Sequence, residues 1–507
     1  MNSQTARLKY LLVAAFLTIN FATLFSQTNG DALIYPNNTI GKKIDVFFYD
    51  LKGWPNAISS STVANSFFVS DDMNGVRVSI YGDETRPAHP SEGVVDESYY
   101  TVTLTSLERA RVARGTKDFY IFASKKLDGQ NSFPAWTKDA DGVISTEYVK
   151  LLTDYLLFMK NKGYEVDYLA IQNEEQYNEA NITAQKHKEI IDALRIISVR
   201  DGFKMPIIVG YEDYGPNRED FMKNMKNNNW MDRMDVYGTH YYPQYRPITS
   251  LKSDLNYAGD IPFWSTEPHW DSKSDVDDWE EAEKAICAFW DQIEVGMSGF
   301  MWWDYKRSGN LRGNLMKNIS VPIKDAQMID MDDIDGRVTT SKYYGNLHTR
   351  AFREENKITV YAINNNATKT YTDYGFGIST ASIVGNVSST QWLKSTGSIT
   401  GENANITAEN SKTFRMTLPA ESITMFTFDI DTEASVESQH TDKLSIVLSN
   451  NKLKIVGVDQ QVNYQIYNIT GKLLINGTYN NEIDVSTLYK GVYLLRISNG
   501  LTSRFIL

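Results

Sequence analysis

The chain has 507 residues, which is long enough for two or three domains and a large apolar core. Its formal net charge of −12 excludes nucleic acid as the expected partner, because the phosphates would be repelled. Aromatic residues make up 12% of the chain, and their rings suit a neutral ligand with apolar faces, such as a carbohydrate.

The first 26 residues have the pattern of a signal peptide. Arg7 and Lys9 precede an apolar run at 11–25, and Ser26 follows it. Because this run is short and interrupted by Thr and Asn, we expect an exported chain without stable membrane insertion. Cys287 is the one cysteine of the sequence and cannot form a disulfide within the chain, so we expect it to be a buried apolar residue.

Residues 27–344 alternate strand-like runs with amphipathic helical patterns, such as those at 146–163 and 184–202. Eight strand-like runs occur in this range, at 43–50, 75–83, 118–124, 166–174, 205–213, 234–242, 261–267 and 299–305. Eight strands separated by helices predict an α/β fold, the (β/α)8 TIM barrel, for residues 27–344.

The pattern changes after residue 305, where a polar loop leads into strands without helices. Runs of period two are found at 357–366, 370–378, 390–396, 413–419 and 422–430. They predict a β-sandwich side domain over residues 345–430. A charged, polar stretch at 431–443 is typical of a linker, and residues 444–507 are expected to form a small all-β domain.

Two glutamates stand where predicted strands end: Glu174 closes the fourth run and Glu267 closes the seventh. In a parallel barrel the carboxyl ends of the strands gather at one face, so these side chains are expected to meet. Cleavage of a glycosidic bond requires such a pair, one as the acid and the other as nucleophile or base. The alternative is that both are surface charges, as most glutamates are.

The residues beside the glutamates extend the predicted site. Asn173 can place its amide on a sugar hydroxyl while Glu174 faces the glycosidic oxygen. Side chains that can orient Glu267 end the sixth strand, at His240, Tyr241 and Tyr242. The eighth strand ends in Trp302 and Trp303, and one indole can form the floor of a pocket while the other packs in the core, because adjacent strand residues face opposite sides.

Several segments resemble the family 30 glycoside hydrolases over roughly residues 75–430. They are SFPAW at 132–136, LAIQNE at 169–174, GTHYY at 238–242, FWSTE at 263–267, GFMWWDYKR at 299–307, VYAINNN at 360–366 and LPAESITMF at 418–426. The resemblance implies a retaining enzyme with Glu174 as acid/base and Glu267 as nucleophile. It also implies that Arg77 lies near the nucleophile and that Trp136 contributes to substrate binding.

Within that family the pattern WW-x-x-x-R at 302–307 is most similar to the glucuronoxylan-cleaving branch, which implies that Arg307 holds a glucuronic acid substituent. The chain departs from the family at Gly309, at Glu175, and in DVFFYDLKGWP (45–55), which lacks the early glycine pair. The alternatives are an endo-β-1,6-glucanase, a galactan hydrolase on the same barrel, or a cell-surface protein that binds polysaccharide without cleaving it.

The C-terminal unit resembles the sorting domains of the type IX secretion system of Bacteroidetes. The similar segments are YNITGKLL at 467–474, IDVSTLYKGVYLLRI at 483–497 and the ending SRFIL. The resemblance implies export through that machinery to the outside or the cell surface, and the alternative is a carbohydrate-binding accessory domain. We expect the chain to act as a monomer.

Neither a metal nor an organic cofactor is predicted. The six histidines are scattered, and no Gly-rich phosphate loop follows any predicted strand. The segment DMDDIDG at 330–336 departs from the order of a calcium loop, because Ile334 stands where a ligand belongs.

Overall fold

The computed structural model of the chain describes residues 31–83, 85–125, 133–174, 181–213, 218–242, 248–268, 279–302, 311–333, 347–396, 401–406, 408–431, 445–449, 452–456, 462–468, 473–488, 492–497 and 502–506. The chain divides into two units, Met1–Asp431 and Thr432–Leu507. The predicted signal peptide, the predicted linker beyond residue 431 and residues 334–336 of the acidic loop lie outside the described residues.

Among the described residues of the first unit, eight parallel strands close into a barrel, and neighbours in the chain are neighbours in the barrel. The first to eighth barrel strands are Val46–Asp50, Gly75–Ile80, Tyr120–Lys125, Tyr168–Ala170, Ile207–Asp213, Val236–Tyr241, Phe263–Pro268 and Met297–Trp302. The eighth strand pairs with the first, with Gly299 opposite Val46. The predicted (β/α)8 barrel is therefore confirmed, including its first strand.

The barrel strands are buried on both faces, so their apolar residues run almost without interruption. Phe48, Phe122, Trp264 and Met301 belong to the cluster that fills the inside of the barrel. A Cβ atom on Gly299 would lie 2.4 Å from the indole of Trp264, so only glycine lets this ring pack against the eighth strand.

Helices surround the barrel and cover the outer face of its strands. In the described chain they are Ser61–Asn65, Thr101–Arg114, Ser145–Asn161, Ala184–Asp201, Arg218–Asn227, Ile248–Ala258, Trp279–Glu294 and Leu311–Ser320. Local chemistry sets their ends: the Thr183 side chain accepts a hydrogen bond from the Lys186 N–H at the start of Ala184–Asp201, and Gly202 ends that helix at a φ of 68°.

Shorter elements join these pieces. Single turns of helix lie at Ser66–Ser70, Glu97–Tyr100, Ala135–Thr137, Met231–Arg233, Val321–Ile323 and Lys394–Thr396, and a two-stranded hairpin pairs Lys138–Asp139 with Gly142–Val143. Within the described residues, no helix is both long and apolar enough to cross a bilayer.

A nine-stranded sheet forms the rest of the first unit. Its strands, in chain order, are Ala32–Thr39, Gln327–Asp333, Leu347–Glu354, Lys357–Asn364, Tyr371–Ile378, Ser382–Leu393, Glu402–Ile406, Thr413–Leu418 and Ser422–Asp431. All five strands predicted within 345–430 are present. Phe376 contacts Phe426 at 5.0 Å between ring centroids although their strands are not neighbours, so the sheet folds over around an aromatic core.

The sheet begins earlier than the predicted boundary at residue 345. Ala32–Thr39 pairs with Gln327–Asp333 and with Tyr371–Ile378, so the side domain takes one strand from before the barrel and one from directly after it. These segments were wrongly assigned to the barrel, because their partners lie far away in the sequence. The sheet contacts the barrel through Arg350, which forms an ion pair with Asp291 at 2.9 Å.

The described residues of the second unit form two small antiparallel sheets. Its strands are Ser445–Ser449, Lys452–Val456, Asn463–Asn468, Leu473–Thr478, Ile483–Asp484, Val492–Ile497 and Thr502–Ile506. Alternate residues such as Leu453, Ile455, Leu495 and Ile497 form its core, which agrees with the period of two in the sequence.

Candidate active site

The two predicted glutamates meet at the carboxyl ends of the barrel strands. Glu267 belongs to the seventh strand, and Glu174 follows the fourth. One side-chain atom each from Glu174, His240 and Glu267 lie within 4.8 Å of one another. The barrel therefore brings together two carboxylates that are 93 positions apart in the sequence.

Glu267 is held on both carboxylate oxygens. Arg77 Nη1 donates to Oε2 at 2.9 Å, and Lys52 Nζ donates to the same oxygen at 3.2 Å. On the other side, the Tyr242 hydroxyl donates to Oε1 at 2.6 Å. One oxygen is thus anchored by two cations, while the other accepts from a neutral hydroxyl.

These contacts determine the charge of Glu267. Burial acts to raise the pKa of its carboxyl, but the positive charges of Lys52, His240 and Arg77, with the hydrogen bond from Tyr242, hold that pKa well below its usual value. Glu267 is therefore ionised at neutral pH.

His240 lies between the two glutamates. Its Nδ1 is 2.9 Å from Oε1 of Glu174, and its Nε2 is 3.6 Å from Oε2 of Glu267. Burial acts to lower the pKa of His240, but the negative charges of Glu267 and Glu174 and contacts with Glu174 and Glu212 raise it to about 9. The ring is therefore a cation at neutral pH; its Nδ1 donates to Glu174, and its Nε2 lies at ion-pair distance from Glu267.

Asn173 is oriented by two cations. Its Oδ1 accepts hydrogen bonds from Lys52 Nζ at 2.6 Å and from Arg77 Nη2 at 2.5 Å. The amide oxygen is thereby assigned to the side of the cations, and the amide nitrogen points away from them.

The backbone around Glu174 adopts an unusual conformation. Glu174 has a φ of 49°, and Tyr211 and Glu212, near the end of the neighbouring fifth strand, have φ values of 70° and 41°. Residues other than glycine seldom adopt these angles. The Glu174 N–H donates to the Glu212 carbonyl at 3.0 Å, so the two strained segments hold each other in place.

Asp50, Lys52 and Glu212 belong to the site and were missed by the sequence analysis. Arg77 is fully buried and donates to Asp50 at 2.6 Å and to Glu212, which also accepts from Ser124 Oγ at 2.6 Å. The sequence did contain a signal for Asp50 and Glu212, because both are acidic residues at or next to the end of a predicted strand, as Glu174 and Glu267 are.

Two predicted substrate-binding residues face away from the site. Tyr241 packs in the core between strands and helices, because the preceding His240 takes the inward position. Trp302 also lies in that core and contacts Phe289 at 5.6 Å between ring centroids. This packing in the core does not support a substrate-binding role for either residue, and Trp302 is the core member expected of the tryptophan pair.

Three predicted substrate-binding residues remain: Trp136, Trp303 and Arg307. Trp136 is half-buried, and its Nε1 donates to the His89 carbonyl at 2.8 Å, so its described hydrogen bond is not to either glutamate. Trp303 and Arg307 lie outside the described residues.

The spacing of Glu174, His240 and Glu267 would also fit a metal ion. The charges disfavour one. Glu267 already contacts the cations of Arg77 and Lys52, and a protonated imidazole has no lone pair for a metal.

Comparison with known proteins identifies relatives of both units. The model of the secretion system C-terminal sorting domain matches residues 441–506. This domain indicates export by the secretion machinery and attachment at the cell surface, as the terminal motifs predicted.

The first unit is similar in sequence to glucuronoxylanase XynC of Bacillus subtilis (strain 168). The two are 26% identical over 297 residues, which cover 55% of this chain and 65% of the relative. The match thus spans slightly less than two thirds of that enzyme's length.

Solved structures share the fold. A family 30 endoxylanase from Clostridium papyrosolvens C71 has a TM-score of 0.57 and 20% identity, covering 79% of this chain and 100% of its own. The endo-β1,6-glucanase BT3312 has a TM-score of 0.54 and 13% identity, covering 80% of this chain and 94% of its own. At these identities the likeness concerns the fold alone.

Proposed function

We propose that this chain, a homologue of the family 30 xylanases with a secretion sorting domain, hydrolyses a β-linked polysaccharide with retention of configuration. The observation that carries this proposal is that a carboxylate oxygen of Glu174 lies within 4.8 Å of one of Glu267. Retaining glycosidases hold their carboxyl groups about 5 to 5.5 Å apart, whereas inverting enzymes leave about 6.5 to 9.5 Å for a water molecule.

The environment of Glu267 supports its role as the nucleophile. It is ionised, and its Oε2 is occupied by Arg77 and Lys52. Oε1 accepts a hydrogen bond from the neutral Tyr242 hydroxyl and, within the described part of the chain, contacts neither Arg77 nor Lys52, so it is the better placed oxygen for attack.

Catalysis then follows in two displacements. Oε1 of Glu267 forms a bond to the anomeric carbon as the glycosidic C–O bond breaks, and Glu174 gives its proton to the departing oxygen. Glu174 next removes a proton from water, which attacks the anomeric carbon and releases the Glu267 carboxylate. Asn173, with its amide nitrogen turned from the cations, supplies a donor to a hydroxyl of the same sugar.

The charges around the pair suit this exchange. Within the described residues, the side chains of Arg77, Lys52 and His240 lie beside the pair, together with those of Asp50 and Glu212. In the first step Glu267 loses its charge as an ester, and Glu174 gains one. The net charge of the site therefore stays the same during this step. His240 contacts both glutamates and stabilises the negative charge at either position.

Retention is tested by a time course of proton NMR on the first products. We expect the β-anomer to appear first and then mutarotate, because double displacement restores the configuration of the substrate. Early appearance of the α-anomer would show inversion and overturn the mechanism. No release of reducing ends from any glycan would leave the non-catalytic, polysaccharide-binding alternative.

Glucuronoxylan is the substrate we propose, because the sequence relative is a glucuronoxylanase and Arg307 matches the arginine that the resemblance assigns to a glucuronic acid. A panel of glucuronoxylan, unsubstituted xylan, β-1,6-glucan and galactan, with mass analysis of the products, tests this proposal. Arg307→Ala should slow cleavage of glucuronoxylan strongly and of unsubstituted xylan little, since a charge-assisted bidentate bond is lost only with the acidic substrate. Cleavage of β-1,6-glucan or galactan alone would instead favour the corresponding alternative.

A further inference from the structure

A lysine two residues beyond the first barrel strand reaches into the site. Lys52 stands within the segment that lacks the early glycine pair of the resembling family. Its side chain is only 7% exposed, and its ammonium group contacts Asn173 Oδ1 at 2.6 Å and Glu267 Oε2 at 3.2 Å.

Two hydrogen bonds hold the backbone of Lys52, one at its N–H and one at its carbonyl. Its N–H donates to Asp50 Oδ1 at 2.6 Å, and its carbonyl accepts from Ser79 Oγ at 3.0 Å. Asp50 in turn accepts from Arg77 through its other oxygen at 2.6 Å. The ammonium group is thus held in place by the same ion network that holds the nucleophile.

We infer that Lys52 is a positioning residue for the proposed hydrolase, which fixes Asn173 and Glu267 relative to each other and keeps Glu267 ionised in acid. This inference rests on the proposed function. A buried ammonium group is costly unless acceptors surround it, and Lys52 finds them on two residues expected to contact the same sugar.

Lys52 differs from Arg77 in what it joins. Arg77 contacts four acceptors deep in the barrel, whereas the ammonium group of Lys52, within the described part of the chain, donates to two, Asn173 Oδ1 and Glu267 Oε2. Removal of the Lys52 ammonium group should therefore change the ionisation and the orientation of Glu267, while the ion pairs of Arg77 with Asp50 and Glu212 remain in place.

The ionisation of Glu267 depends on every charged or titratable group that faces it from the described elements. They are Asp50 on the first strand and Lys52 just beyond it, Arg77 on the second strand, Glu174 after the fourth, Glu212 on the fifth, His240 on the sixth and Tyr242 just beyond it. Lys52, Arg77 and His240 are the cations among them. Loss of Lys52 therefore shifts the balance toward negative charge and favours protonation of Glu267.

The test compares the pH dependence of kcat/KM for wild type, Lys52→Met and Lys52→Arg on a soluble aryl glycoside. We expect the acidic limb of Lys52→Met to move to higher pH by about one unit or more, because an opposite charge within hydrogen-bond range has been removed. Lys52→Arg should return the limb toward wild type. Lys52→Gln, which keeps a donor for Asn173 without the charge, gives the same comparison if Lys52→Met does not fold.

A charge-matched variant separates charge from packing. The double variant Asp50→Asn/Lys52→Met removes one acidic and one basic group. The acidic limb of its pH profile should therefore lie between that of the wild type and that of Lys52→Met. A uniform loss of rate with an unmoved limb in Lys52→Met and Lys52→Gln would overturn the inference, because packing alone would then explain it.

Failure of the inference can be told apart from failure of the proposed function. A 2-deoxy-2-fluoro glycoside should label Glu267 in the wild-type protein, as read from the mass of the modified peptide. Labelling at another residue would overturn the assignment of the nucleophile. Labelling at Glu267 together with an unmoved limb would overturn only the role of Lys52.

Discussion

Glu267→Gln is expected to lower turnover by roughly a thousandfold or more while leaving the fold intact. The amide cannot attack the anomeric carbon, and no other carboxylate can replace the covalent step. The fold should persist because the amide oxygen can still accept from Arg77 and Lys52, and the amide nitrogen can donate to the Tyr242 hydroxyl. Release of reducing sugar from the best polysaccharide measures the loss.

Glu283→Gln is the matched control. Glu283 is also a buried glutamate, on the helix Trp279–Glu294, and Trp279 Nε1 donates to it at 2.6 Å. Burial raises the pKa of Glu283 to about 8, so an amide resembles its neutral form at pH 7. We expect turnover close to wild type. If Glu267→Gln kept more than about a tenth of the wild-type rate, well above the loss expected of a missing catalytic group, the nucleophile would be a different residue.

The fold was predictable where local pattern determines structure. All eight barrel strands lie within or beside the predicted runs, because strands buried on both faces leave continuous apolar segments. The strand Ala32–Thr39 was misassigned because its partner Gln327–Asp333 is almost 300 positions away, and pairing at that distance leaves no local signal.

The site was predictable in part for the same reason. The rule that catalytic groups gather at the carboxyl ends of barrel strands is enough to find Glu174 and Glu267. Lys52 and Glu267 are 215 positions apart, and their contact depends on closure of the barrel, which brings the ends of the first and seventh strands to the same face. Tyr241 shows the same limit on a smaller scale, because the parity of a single strand decides whether a residue faces the site or the core.

Arg77 joins the separate parts of this site. Its guanidinium is fully buried and donates to Asp50, Asn173, Glu212 and Glu267. Its charge is what makes three buried carboxylates tolerable in one place, since a buried charge without a partner is strongly destabilising. Stability and catalysis therefore depend on the same side chain.

Arg77→Met is accordingly expected to lower the free energy of unfolding by about 3 to 5 kcal/mol, as measured by urea denaturation at pH 7. Arg77→Lys should recover only part of this loss, because one ammonium group cannot reach four acceptors in the geometry of a guanidinium. Arg200→Met is the control: Arg200 is 67% exposed and pairs with Asp201, so its loss should leave the free energy of unfolding close to that of the wild type.

The dependence of this loss on pH distinguishes lost charge pairing from lost packing. The depressed pKa of Glu267 gives the wild type stability that is present above the unfolded pKa and is lost as the pH falls through the lower folded pKa. Without Arg77 that pKa rises, so the difference between wild type and Arg77→Met should be largest near neutral pH and should shrink as the carboxylates protonate. A difference that stays constant from pH 7 to acid would show that Arg77 acts by filling space, and a loss no larger than that of Arg200→Met would show that the network contributes little to stability.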